Sequence, residues 1–86
     1  MPEISRFFGI IIAMYYGDHL PPHFHARYGS RQARFAIDDL RLIAGDLGPR
    51  ARKLVVEWAN MHKAELTREW ELARAHQPLF RIAPLE

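Results

Sequence analysis

Eighty-six residues with 49% hydrophobic and 26% charged side chains describe one globular domain, 1–86, with a modest core, and exclude a largely disordered chain. The absence of cysteine removes disulfides and thiolate metal ligation, and a net charge of +2 permits an acidic partner without requiring one. The longest apolar run, residues 7–16, falls well short of the ~20 residues of a membrane span and lacks the pattern of a signal peptide, so a cytoplasmic protein with no membrane partner is expected.

Ser5 to Tyr16 are rich in β-branched and aromatic side chains and lack helical spacing of polar residues, which predicts one strand. Alternation would place Phe8, Ile10, Ile12, Met14 and Tyr16 on one face and Phe7, Ile11, Ala13 and Tyr15 on the other. With both faces apolar, the strand is expected to be central, covered by the helix on one side and by another layer or chain on the other. Gly9 would mark a bulge or a close backbone approach.

His23 to Tyr28 read as a second strand, and Gly29-Ser30 as a two-residue hairpin turn. The third strand is Arg31 to Ile37, where Ala33, Phe35 and Ile37 alternate with Gln32, Arg34 and Ala36. Leu40 to Ala44 are a candidate fourth strand after the Asp38-Asp39 turn. Gly45 to Pro49 break the pattern, and Pro49 suits the first turn of a helix. The spacing of Leu54, Val55, Trp58, Met61, Leu66, Trp70 and Ala73 predicts a single long amphipathic helix ending near Arg74. Lys53/Glu57, Glu65/Arg68 and Glu71/Arg74 sit at spacings suited to ion pairs between adjacent turns. Beyond Gln77, the segment Leu79 to Ile82 is read as a short strand or a docked hydrophobic arm. The expected fold class is therefore α+β, an antiparallel sheet of three to four strands with one long C-terminal helix packed on one face.

The chemistry-bearing stretch is Asp18-His19-Leu20-Pro21-Pro22-His23-Phe24-His25, which gathers three of the chain's five histidines. Consecutive prolines stiffen the approach and push Leu20 and Pro21 toward extended geometry. His23 and His25, two apart on a strand, share a face with Arg27. His62 and His76 read as a helix-edge residue and a residue of the fraying helix end.

Ile4 to Ile10, the run Asp18-His19 followed by Pro21-Pro22-His23-Phe24-His25, and Trp58-Ala59 with Trp70-Glu71-Leu72-Ala73 together resemble the small bacterial proteins of domain of unknown function 4160. Members of that family are commonly encoded beside a second small protein, and some are named as toxins of type II toxin–antitoxin pairs. The resemblance thus implies a growth-inhibiting toxin neutralised by a small protein antitoxin from a neighbouring gene. It implies no catalytic residues.

The residues themselves leave several chemistries open. In a metal-independent ribonuclease, His23, His25 and His19 with Asp18 would supply acid and base and Arg27 would meet the phosphate, RNA being the substrate. A metal site would use His23 and His25 with His19, Asp18 or His62 as a third ligand, although no metal and no cofactor is favoured. The third reading is a non-enzymatic protein-binding module in which the histidine turn is a rigid corner, with a homodimer as one form of association.

Overall fold

The computed structural model describes residues 2–86. The chain runs as β1 (Glu3–Phe7), β2 (Ile10–Ala13), β3 (His23–Tyr28), β4 (Arg31–Ala36), β5 (Leu42–Gly45), α1 (Pro49–Met61) and α2 (Lys63–Arg74). The strands form a five-stranded antiparallel meander in sequence order, so β1 and β5 are its edges. The α+β class holds, with five strands in place of three to four and two helices in place of one.

Both differences have local causes. The predicted first strand folds back on itself at Phe8-Gly9, where both residues have positive φ, 49° and 80°, as the mirror-image hairpin turns require. Phe7 then faces Ile10, and Arg6 faces Ile11. Gly9 is thus a turn residue rather than a bulge. Folding back also gives each strand one core face, since Ile4, Phe7, Ile10 and Ile12 are buried while Arg6 is exposed and Ile11 half-buried. The second layer expected over a strand with two apolar faces is not needed for these two strands.

The helix breaks at His62 (φ −128°), whose N–H returns three residues to the Ala59 carbonyl at 3.1 Å. No proline or glycine marks the break, only the weak helix formers Asn60 and His62. The interruption shifts the phase of the stripe, leaving Met61 59% exposed while Val55, Trp58, Leu66, Trp70 and Ala73 stay buried. Glu65 turns to His62 at 2.6 Å and Arg68 to Glu69 at 3.2 Å, instead of pairing with each other.

The core lies between the helices and one sheet face. Trp58 packs on Phe7 and Phe24, with ring centroids 5.2 and 6.0 Å apart, and Phe24 stacks on Phe35 across β3 and β4. Burying Trp58 and Trp70 removes roughly 150–250 Å² each from water, the largest single contributions to this core. The tail docks as an arm and forms no strand. Ile82 is buried and donates its N–H to the Ile4 carbonyl at 2.7 Å, while Trp58 Nε1 donates to the Ala83 carbonyl at 2.8 Å. Among the described residues no helix is long and apolar enough to cross a membrane.

Candidate functional site

The histidine stretch lies where the β2–β3 connection swings past the end of α2, with the Gly17 N–H meeting the Ala73 carbonyl at 3.4 Å. The Leu20–Pro21 peptide bond is cis. His23 opens β3 and is 1% exposed, its ring 5.4 Å from that of Trp70. The first residue of the strand is overlaid by α2 and by the ring of His19, whose centroid lies 5.3 Å away.

Asp18 is the hub. Its Oδ2 lies 3.0 Å from His23 Nε2 and 3.0 Å from His25 Nε2. A carboxylate can only accept, so His25 donates its Nε2–H to Asp18. His23 Nδ1 stands 2.7 Å from the Pro21 carbonyl and donates to it. His23 Nε2, however, is buried without a hydrogen bond, close to Asp18 but out of line with it. His19 is largely exposed. Its Nδ1 meets the Leu20 carbonyl at 3.2 Å, and its Nε2 lies 3.5 Å from an Arg34 nitrogen and 3.7 Å from Asp18 Oδ1.

Burial pushes the Asp18 carboxyl up, but the hydrogen bonds from His25 and from the His19 backbone work against it, and the group is held below the usual carboxylate range. Burial is the largest influence on His25 and pushes it down, prevailing over the hydrogen bond to Asp18, which pushes it up. His25 is consequently neutral near pH 7 and is backed by an ionised carboxylate.

The face of the sheet turned away from the helices carries a groove of about 300 Å³, lined in part by Tyr15, His25, Arg27, Gln32 and Arg34. Register explains the grouping. His25 lies opposite Ala13 on one side and Arg34 on the other, and Arg27 lies opposite Gln32, so alternate residues of three strands share this face. Tyr15 meets the His25 ring edge-on at 4.4 Å. No acidic side chain lines the groove among the described residues.

Of the residues singled out from sequence, Asp18, His23 and His25 form one centre, His19 sits at its rim, and Arg27 belongs to the groove that His25 also lines. His62 is elsewhere, packed against Trp58 at 5.5 Å. Sequence reasoning missed Gln32 as a groove residue, although its alternation with Ala33 and Phe35 had placed it on that face. It also missed the buried Glu69, whose Oε1 accepts the Phe80 N–H at 2.6 Å and which nothing in the helix pattern distinguishes from a solvated acid.

A sequence model of the family called domain of unknown function 4160 matches residues 9–71, a span that contains the whole histidine centre and the groove. No curated protein and no solved structure matches the chain.

Proposed function

The chain belongs to the domain of unknown function 4160 family, and from that premise and the geometry of its centre we propose that it is the toxin of a two-protein pair, acting on the phosphodiester backbone of RNA and neutralised by a small protein antitoxin from a neighbouring gene. The observation that carries the reading is that His25, backed by Asp18, lines the same groove as Arg27 and Arg34. Two guanidiniums on a sheet face without carboxylates suit a phosphate, and a neutral imidazole–carboxylate pair beside them suits proton transfer.

In the reaction, the ribose 2′-oxygen attacks phosphorus as the bond to the 5′-oxygen breaks, leaving a cyclic phosphate and a 5′-hydroxyl. The Asp18–His25 centre accepts the 2′-hydroxyl proton, and the exposed His19 returns a proton to the leaving oxygen. Arg27 and Arg34 hold the negative charge that accumulates on the phosphoryl oxygens. In this reading Tyr15 and Gln32 contact the flanking nucleotides.

Expression alone should arrest growth, and co-expression of the neighbouring protein should restore it. Purified protein should cleave RNA, and His25→Ala should lower that rate by ~10²–10⁴-fold, the usual worth of a positioned proton-transfer group. Normal growth at good expression removes the toxin reading. Arrest with intact cellular RNA leaves a protein-binding toxin in its place.

A further inference from the structure

His23 is the residue of the histidine stretch that this mechanism does not use, and its buried Nε2 lacks a hydrogen-bond partner. Its Nδ1 faces the Pro21 carbonyl at 2.7 Å. A carbonyl only accepts, so that nitrogen carries the proton, and in the neutral ring the lone pair is on Nε2. That atom is buried, makes no hydrogen bond and stands 3.0 Å from Asp18 Oδ2, another acceptor. Two lone-pair atoms held this close away from water repel each other, and leaving a buried polar atom unpartnered costs free energy. A cation between them turns repulsion into ligation.

The rest of the centre is arranged for the same purpose. One ligand atom each from Asp18, His23 and His25 lie within 4.8 Å of one another, and an ion here replaces the His25 Nε2–H hydrogen bond to Asp18, the neutral ring then carrying its proton on Nδ1. Tetrahedral ligands about 2.1 Å from an ion are separated by roughly 3.4 Å, so the two 3.0 Å separations need to open by only a few tenths of an ångström. The His23 Nδ1–H to backbone carbonyl bond is the kind of outer contact that fixes the tautomer and orientation of a metal-bound imidazole. Two ring nitrogens and one carboxylate oxygen favour a transition ion over calcium or magnesium, which prefer all-oxygen sets.

We propose that Asp18, His23 and His25 form a binding site for one divalent transition ion of the zinc class, with three protein ligands and an open position toward the groove. The inference deepens the reading above, because a hydroxide on the ion would then be the acceptor of the 2′-hydroxyl proton. Ion binding nevertheless stands or falls without reference to RNA.

The test is calorimetric titration of the chelator-treated full chain with Zn²⁺ alone, alongside the visible absorption of the Co²⁺ form. One ion per chain is expected, with tetrahedral-type Co²⁺ bands and a change in the Nε2 nitrogen resonances of His23 and His25. Asp18→Asn and His25→Ala should each weaken binding at least 10- to 100-fold, whereas His62→Ala should leave it unchanged. His25 is half-exposed and His23 is buried, so the His25 variant is the one expected to stay folded, which circular dichroism verifies. Absence of saturable binding to the folded wild-type chain overturns the proposal, as does binding that survives the Asp18→Asn/His25→Ala double substitution. Zinc binding without toxicity leaves this inference and removes the toxin reading; RNA cleavage by a folded chain that shows no saturable ion binding does the reverse.

Discussion

His23 and His25 are two residues apart on the same strand and share one carboxylate, yet their environments assign them different work. His23 is packed under Trp70 and donates to the Pro21 carbonyl, so removing its ring leaves a cavity and an unpaired buried acceptor. His25 is a quarter exposed at its side chain and leans on Tyr15. His23→Ala should therefore cost about 2–4 kcal/mol of stability, combining lost packing with a lost hydrogen bond, and His25→Ala about 1 kcal/mol or less. Urea unfolding of the two variants measures the contrast, and equal losses would show that the two rings are equally structural. The sharing of a strand by the two histidines was legible from their spacing. The burial of His23 was not, because period-two alternation says which face a residue takes and nothing about what lies over the end of the strand. Asp18 stood out from sequence only as one of several candidates to complete the centre; that it bridges both rings depends on how the seventeen-to-twenty-two connection curls back, which no local pattern encodes.

At the scale of elements, two glycines of positive φ test how the sheet is held together. Gly9 (φ 80°) occupies the second central position of the β1–β2 turn, and a side-chain carbon there would come only to 3.4 Å from Tyr28, an ordinary contact. Gly45 (φ 77°) ends β5 against β4, and the same carbon would fall 2.1 Å from the Gln32 carbonyl oxygen and 2.9 Å from Ala33 Cα. Gly9→Ala thus meets backbone strain alone and should cost about 1–2 kcal/mol. Gly45→Ala meets strain and a backbone collision that β5 can relieve only by leaving the sheet. The Gly45 variant should lose more stability than the Gly9 variant and should lose amide protection in residues 42–45 first, as hydrogen exchange would report. The helix ends and the Gly29-Ser30 hairpin were readable because proline and glycine punctuate them. The Phe8-Gly9 turn was obscured by aromatic and β-branched neighbours that continue the strand composition through it, and the His62 break by the absence of any punctuating residue.

At the scale of the whole molecule, the two ends of the chain are tied together beside the core. The tail donates the Ile82 N–H to Ile4 of β1, and outside that contact Glu3 accepts from Arg6 at 2.7 Å and from Arg81 at 2.9 Å. The side-chain hydrogen bonds from Arg6 and then Arg81 lower the Glu3 carboxyl from its ordinary 4.5 to about 2. A carboxyl depressed by folding binds its proton more readily in the unfolded chain, so the stability it contributes is fully present above pH 4.5 and is lost as pH falls from there toward 2. The cluster is open to solvent and the effect is correspondingly modest. Asp18 and Asp39 are also held low and lose stability over an overlapping acid range, so the wild-type profile alone does not isolate the contact. Glu3→Gln does, because glutamine keeps the shape without the charge. The difference in urea midpoint between wild type and Glu3→Gln should be largest near neutrality, shrink as pH drops below 4.5 and vanish only once pH has fallen through about 2, and 0.5 M salt should reduce it at every pH. A difference that does not change with pH would mean that the tail is held by Ile82 and the Trp58 bond to Ala83 alone, with the Glu3–Arg81 pair contributing nothing to closure of the two ends.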